Sequence, residues 1–124
     1  MASETQAIQL TRRGSAAHIV LNRPPLNILD LPTLRELNAV LGNLPVPPEV
    51  SYEVFSGAGT RAFSAGVDVK DHLPDRVAEM LQTFHQVFLT LWARDWITLA
   101  VVRGHCLGGG MELASFCDFV LAAE

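Results

Sequence analysis

The stretch VVRGHCLGGGMELASFCD, residues 101–118, joins a strand, a glycine-rich turn and a helix. The apolar residues 99–102 predict a buried strand, and residues 111–117 predict a short helix with Glu112 in its first turn. Three consecutive glycines, 108–110, lie at the helix start, although glycine is costly there in backbone entropy. Glycine leaves the amides of the first helical turn open to an approaching oxygen atom. Amide donors beside a carboxylate indicate a site that stabilises an oxyanion and transfers a proton.

The length of 124 residues predicts a single domain, large enough to bury a hydrophobic core. The hydrophobic content of 49% and the mean hydropathy of +0.26 predict a buried sheet covered by helices, or apolar surface that a partner or a further piece covers. The net charge of −4, without a basic cluster, argues against a nucleic-acid partner. No apolar run could span a membrane and no signal peptide is recognisable at residues 1–6, so we expect a cytoplasmic protein.

Alternating apolar residues and turn residues predict the order of the strands and helices. Strands are expected at residues 7–13, 17–22, 50–56, 96–102 and 119–123, and the first two form a hairpin. Asp30 and Asp75 are the expected N-caps of two helices between later strands. The second helix carries an apolar stripe typical of core packing, formed by Val77, Met80, Leu81, Phe84, Val87, Phe88, Leu91 and Trp92. This order predicts an α/β fold with a mostly parallel sheet flanked by helices.

Two loops in this pattern are candidates for a functional site, and one predicted strand contains an unexpected glutamate. Residues 62–74 predict a long irregular loop, and loops of this length inside a compact domain are often functional. This loop and the glycine turn at 108–110 both follow parallel strands, so we expect them at the same edge of the sheet. Glu53 does not fit a central parallel strand, which predicts either an edge strand or a partner for Glu53 that the sequence does not identify.

Two segments of the sequence together resemble one family. FSAGVDVK at residues 63–70, followed by VRGHCLGGGMEL at 102–113, resembles the crotonase (enoyl-CoA hydratase/isomerase) superfamily. The resemblance extends from about Ile8 to Glu124, and PPLNILD at 24–30 is similar to cyclohexadienoyl-CoA hydratases within it. It implies a crotonase-like spiral of β-β-α units. Residues 1–124 would then form a partial domain, the N-terminal half of the spiral core, truncated before the C-terminal part.

The same resemblance implies roles for individual residues. The backbone amides of Val67 and Gly109 would form an oxyanion hole for a thioester carbonyl, and Glu112 would act as the acid/base. The helix start favours the ionised form of Glu112 and burial would oppose it, which predicts a base poised near neutrality. Coenzyme A would lie along Leu26, Ile28, Ala65, Gly66, Asp68, Val69, Lys70 and Gly108.

The implied activity is hydration of an enoyl- or dienoyl-CoA thioester. No cofactor or metal is expected, since coenzyme A is part of the substrate, and family members form trimers or dimers of trimers. The second hydratase glutamate would lie beyond Glu124, so isomerisation, hydrolysis and decarboxylation remain open. Enoyl-CoA isomerisation is one alternative, and a truncated, non-catalytic chain that binds acyl-CoA or only assembles is another.

Other classes of site fit the sequence less well. A Rossmann nucleotide site needs G-x-G-x-x-G and a serine hydrolase needs G-x-S-x-G, and neither motif occurs. The histidines at 72, 85 and 105 have no metal-ligand spacing with the cysteines, so we expect solvated or packed histidines. Cys106 and Cys117 lie in apolar surroundings, which favours buried thiols over a disulfide or a metal pair.

Overall fold

The structure is a computed structural model that describes residues 6–124, so the expectation about a signal peptide falls almost entirely on residues outside it. Within residues 6–124, seven strands form two sheets, and three α-helices and one 3₁₀ helix connect them. The strands are β1 (Ile8–Arg13), β2 (Ala16–Leu21), β3 (Tyr52–Gly57), β4 (Ala62–Ser64), β5 (Ile97–Val102), β6 (His105–Cys106) and β7 (Phe119–Ala122). The helices are α1 (Leu31–Asn43), α2 (Val77–Ala93) and α3 (Gly109–Phe116), with the 3₁₀ helix at Val69–His72.

The main sheet has five strands in the order β1-β2-β3-β5-β7. β1 and β2 form the antiparallel hairpin, and every other neighbouring pair in this sheet is parallel. The predicted α/β fold with a mostly parallel sheet is therefore confirmed. The parallel order brings the carboxyl ends of β3 and β5 side by side, which is where a site forms in such sheets.

The α1 and α2 helices bury one face of this sheet. Ile19, Phe55 and Ala100, aligned on adjacent strands, belong to the same hydrophobic core as the leucines of α1 and the apolar stripe of α2. Asp30 is the N-cap of α1, as predicted, and its carboxylate accepts the amide of Thr33 at 2.9 Å. Leu34, Leu37 and Leu41, which recur at helical spacing, form the buried face of α1.

Three local predictions are wrong. The segment 62–74 is not irregular throughout, since it contains β4 and the 3₁₀ helix. Asp75 does not cap α2, because the N-cap position is Arg76 and no side chain accepts an amide there. Leu81 and Trp92 are exposed rather than packed in the core, and Trp92 is 81% exposed. The last two differences lie at the end or at the edge of a helical pattern, where tertiary contacts decide the outcome.

Part of the apolar surface that the composition predicted lies on β7. This strand is an edge of the main sheet, and Phe119, Val120 and Leu121 are 62%, 52% and 62% exposed. Within residues 6–124, no helix combines the length and the apolarity needed to span a membrane. Both cysteines are free, as expected, but only Cys117 is buried, because Cys106 lies half-buried in β6.

Glu53 lies at the centre of the sheet, so the edge-strand explanation is wrong. Its side chain is 0% exposed, and neither carboxylate oxygen has a hydrogen-bond partner among the described residues. Burial raises the pKa of Glu53 to about 8, although the nearby Arg94 guanidinium acts to lower it. Burial also raises the pKa of the neighbouring Cys117 thiol to about 11. Glu53 therefore carries a proton in the folded state at neutral pH.

Glu53→Gln should flatten the dependence of stability on pH. Between the ordinary pKa of 4.5 and the folded value of about 8, the folded chain holds a proton that the unfolded chain has released. The stabilising contribution is complete below the unfolded pKa and is lost as the pH rises through the folded one, at up to about 1.4 kcal/mol per pH unit. Urea unfolding from about pH 5 to about pH 9 measures this slope.

The exposed Glu49 provides the matched control, since Glu49→Gln removes one carboxylate without changing a buried group. Both variants retain the other ionisable groups around Glu53. These groups are Arg94, which acts on the pKa of Glu53, and Cys117 with its neighbour Asp118. Equal slopes in the wild type and Glu53→Gln would contradict the protonated, unpartnered state of Glu53.

Candidate active site

Two backbone loops meet at the carboxyl end of the parallel sheet. The first follows β3 and contains β4 and residues 65–68, and the second follows β5, contains β6 and leads into α3. β4 pairs with β6 in parallel, and the amide of Leu107 donates to the carbonyl oxygen of Ser64 at 3.0 Å. The prediction that both glycine-bearing loops share one edge of the sheet is confirmed.

Glycine is required where these loops touch. Gly66 has a φ of +112°, and a Cβ atom there would lie 3.1 Å from the carbonyl oxygen of Leu107. At Gly110 a Cβ atom would lie 2.4 Å from the carbonyl oxygen of Ser64. Because both obstacles are backbone atoms, a larger residue at either position would force the loops apart.

The amides of Val67 and Gly109 lie on the wall of one pocket. Among residues 6–124, neither amide donates a hydrogen bond to a protein acceptor. Gly109 is the first residue of α3, so its amide has no acceptor inside the helix. The two residues are neighbours, since a Cβ atom at Gly109 would lie 2.8 Å from Cγ2 of Val67. Two such donors can converge on one oxygen atom.

This pocket, which we call the amide pocket, has a volume of about 240 Å³. It is lined by Ala65, Gly66, Val67, His72, Met80, Leu81, Phe84, His85, Gly108, Gly109 and Glu112. Glu112 is the only carboxylate among these lining residues, and its side chain lies in the first turn of α3. Glu112 is exposed, so the burial expected from the sequence is not found in this chain.

A second pocket, the outer groove, shares Ala65 and Val67 with the amide pocket. It has a volume of about 420 Å³ and is lined by Arg23, Pro24, Ile28, Asp30, Ala65, Val67, Asp68 and Val69. Lys70 lies on a third pocket, which shares Asp30 and Asp68 with the outer groove. The outer groove therefore connects two regions that the sequence assigned to coenzyme A.

Most residues predicted to contact coenzyme A lie along this connected surface. Gly66 and Gly108 lie on the amide pocket, Ile28, Asp68 and Val69 on the outer groove, and Ala65 on both. Leu26 lies on none of the three pockets. It instead supports the loop, because its carbonyl oxygen accepts the amide of Ala65 at 2.9 Å.

The sequence did not identify several residues on these surfaces. Arg23 is exposed on the outer groove, where it forms an ion pair with Asp30 at 3.5 Å. His72 and His85 are exposed, which agrees with the expectation of solvated histidines, and both also line the amide pocket. Leu81 was predicted to pack in the core with the apolar stripe of α2, but it is exposed and lines the amide pocket. A basic residue directly before two prolines was the only available signal for Arg23.

The third pocket contains a buried carboxylate that supports the loop. Asp71 is 4% exposed and accepts the amide of Leu31 at 3.1 Å. The Arg76 guanidinium lies 3.7 Å from the other carboxylate oxygen of Asp71. Asp71 thereby connects the 3₁₀ helix to the start of α1 and holds Asp68 and Lys70 beside the outer groove.

Comparison with known proteins identifies the family of this fold and site. The sequence profile described as Enoyl-CoA hydratase/isomerase matches residues 11–124. The chain belongs to the enoyl-CoA hydratase/isomerase family. The resemblance carried by residues 63–70 and 102–113 is therefore confirmed, and so is the crotonase-type fold.

Two relatives of known reaction are similar over nearly the whole chain. The carnitinyl-CoA dehydratase of Escherichia coli K12 is 32% identical over 130 residues, covering 97% of this chain and 47% of the relative. The cyclohexa-1,5-dienecarbonyl-CoA hydratase of Thauera aromatica is 32% identical over 122 residues, covering 98% of this chain and 47% of the relative. The chain thus spans about half the length of the family members it matches.

Two solved structures have the same fold as this chain. Pseudomonas aeruginosa DspI superposes with a TM-score of 0.87 at 29% identity, covering 98% of this chain and 47% of that structure. An enoyl-CoA hydratase from Bacillus anthracis superposes with a TM-score of 0.87 at 30% identity, covering 96% of this chain and 48% of that structure.

Gly110→Ala should destabilise the fold, because its Cβ atom would lie 2.4 Å from the carbonyl oxygen of Ser64. Overpacking against backbone costs roughly 1–3 kcal/mol or more. Gly42→Ala is the control, since nothing lies within 4 Å of a Cβ atom there and the residue is in α1. That change should add about 0.5–1 kcal/mol. Urea unfolding compares the two variants, and an equal or higher stability of Gly110→Ala would contradict the close loop contact.

Proposed function

We propose that this chain binds an acyl-CoA thioester and that its site supports hydration of an enoyl- or dienoyl-CoA. The observation that carries the proposal is one pocket lined by two amides without protein acceptors and one carboxylate. Donors aimed at one point stabilise the oxyanion that develops on a thioester oxygen. The reactions named for the two relatives, a dehydration and a hydration of CoA thioesters, support this substrate class.

In this proposal the amides and Glu112 have separate tasks. The Val67 and Gly109 amides donate hydrogen bonds to the thioester oxygen. The Glu112 carboxylate accepts a proton from water as the water oxygen adds to the β-carbon of the enoyl group. The electron pair of the double bond moves to form the enolate, and the protonated Glu112 then returns that proton to the α-carbon, which restores the carboxylate. The reaction consumes one enoyl thioester and one water and leaves the enzyme unchanged.

The outer groove is the proposed site of the coenzyme A moiety. Arg23, which pairs with Asp30, lies on the outer groove, and the exposed Lys70 lies on the adjoining third pocket. Guanidinium and ammonium groups bind phosphates. Ile28 and Val69 provide apolar surface on the outer groove. Because the groove shares Val67 with the amide pocket, a pantetheine arm in the groove would lead its thioester towards the two amides.

Isomerisation of an enoyl-CoA is the second candidate reaction. Glu112 is the only carboxylate on the described wall of the amide pocket. A single base suffices to move a proton between two carbon atoms of an enolate, whereas hydration also requires a positioned water molecule. Product analysis separates the two reactions, because hydration adds the mass of one water and isomerisation adds none.

We also propose that the chain self-associates. The edge strand β7 exposes a row of apolar side chains, and an uncovered edge strand readily pairs with another chain. Light scattering of the purified chain, with and without an enoyl-CoA, tests this proposal. A monomer under both conditions would contradict it.

Glu112→Gln should abolish turnover and leave coenzyme A binding unchanged. Loss of the proton carrier should lower kcat by at least about 10²-fold, because the amide has nearly the same shape but cannot accept the proton. Loss of the enoyl thioester absorbance measures turnover, and calorimetry measures binding. The control is Glu49→Gln, at an exposed glutamate outside the amide pocket. Wild-type turnover in Glu112→Gln would eliminate Glu112 as the acid/base.

Gly109→Val should damage binding and turnover together. A Cβ atom at position 109 would lie 2.8 Å from Cγ2 of Val67 and 3.2 Å from the ring of Phe84. The branched side chain would fill the space in front of the amide that the thioester oxygen needs. Calorimetric titration with an acyl-CoA and the same turnover assay test this variant. Unchanged affinity together with unchanged turnover would remove the Gly109 amide from the proposed oxyanion hole.

A further inference from the structure

Ser64 is a buried polar residue that the acid/base chemistry does not use. It ends β4 and is 0% exposed. Its hydroxyl donates to the carbonyl oxygen of Asn27 at 2.8 Å and accepts the amide of Gly66 at 3.1 Å. The second bond orients the peptide directly before the Val67 amide. A buried hydroxyl with both bonds made stabilises one arrangement of the loop against all others.

The main chain of Ser64 holds the second loop. Its carbonyl oxygen accepts the amide of Leu107 at 3.0 Å, two residues before the Gly109 amide. The same carbonyl is the atom that a Cβ at Gly110 would meet at 2.4 Å. Ser64 therefore binds an amide in each loop, one residue before Val67 in the first loop and two residues before Gly109 in the second.

Asn27, whose carbonyl oxygen accepts the Ser64 hydroxyl, is itself held by hydrogen bonds. Its side chain is buried at 1% exposure, and its Nδ2 donates to the carbonyl oxygens of Ala58 at 3.1 Å and Ala62 at 2.9 Å. Its Oδ1 accepts the amide of Arg23 at 2.9 Å. Its φ of +51° is a conformation that asparagine tolerates better than most residues. The acceptor of the Ser64 hydroxyl is therefore fixed by three further hydrogen bonds.

We propose that Ser64 and Asn27 are positioning residues. They hold the Val67 amide at the distance and orientation from the Gly109 amide that a shared acceptor oxygen needs, a role that rests on the function proposed above. Neither residue lines the amide pocket or the outer groove. Ser64 acts through the amide of Gly66 and the carbonyl that holds Leu107, and Asn27 keeps the acceptor of Ser64 in place. The geometry of the two donors matters because a displacement of about 1 Å can cost on the order of a hundredfold in rate.

Ser64→Ala tests this proposal with a readout that a purely structural role would not change. An aryl-conjugated enoyl-CoA is the probe, because its absorbance moves to longer wavelength when both amides polarise the thioester carbonyl. The wild-type chain should bind this thioester and show the red shift, which does not require turnover. Ser64→Ala should lose most of the red shift and lower kcat roughly tenfold to a hundredfold. Its affinity for free coenzyme A and its KM should change by less than about threefold.

Thr98→Val is the matched control. Thr98 is also buried, and its hydroxyl also makes two hydrogen bonds, donating to the carboxylate of Asp118 at 3.2 Å and accepting its amide at 2.9 Å. These bonds lie at the start of β5, at the opposite end of the sheet from the two loops. Thr98→Val should lower the unfolding midpoint but retain the full red shift.

Each result has one meaning. A full red shift in folded Ser64→Ala, or an equal loss in Thr98→Val, would overturn the positioning role while leaving the proposed function intact. If the wild type binds no thioester or shows no red shift, the proposed function fails first and the positioning role fails with it. If Ser64→Ala does not fold, Ser64→Cys replaces it, because its thiol is a weaker donor and acceptor of similar size. Ser64→Cys should give a reduced red shift, and an unchanged one would overturn the role.

Discussion

The contact between two backbone segments, residues 64–67 and 107–110, is the constraint on which the candidate site depends. The carbonyl oxygen of Ser64 lies so close to Gly110 that no side chain fits between them. This contact explains why a helix begins with glycines despite their entropic cost. It also brings two amides without protein acceptors to the wall of one pocket, so the proposed chemistry uses main-chain groups that sequence changes at Val67 would not remove.

The sheet topology makes this contact possible, and the sequence predicted that topology well. The alternation of strands and helices after the hairpin requires parallel pairing, which places the ends of β3 and β5 side by side. The two glycine-bearing loops were therefore expected to meet from the order of the elements alone. Their residue types and spacing indicated donors and a carboxylate, and the pocket contains both.

The remaining parts of the site depend on contacts between distant residues and leave little local pattern. β4 and β6 have three and two residues, too few to show a period of two. Asn27 was one polar residue in an apolar segment, and nothing in that segment indicated that it would bond to loops more than thirty residues away. Leu81 fitted the helical stripe of α2 but faces a pocket, because the stripe is wider than the core it covers.

Glu53 and Glu112 are carboxyl groups in opposite environments, one enclosed and one exposed. At the carboxyl ends of the strands, Glu112 is exposed beside open amides, whereas Glu53 is enclosed in the middle strand without a hydrogen-bond partner. A neutral carboxylic acid is the less costly form there, since an unpaired charge in such a place loses its hydration. Because Glu53 alters stability over the range in which an acid/base group is assayed, a fall in activity towards alkaline pH can report unfolding rather than chemistry. Only a profile measured in the Glu53→Gln background assigns such a fall to the site.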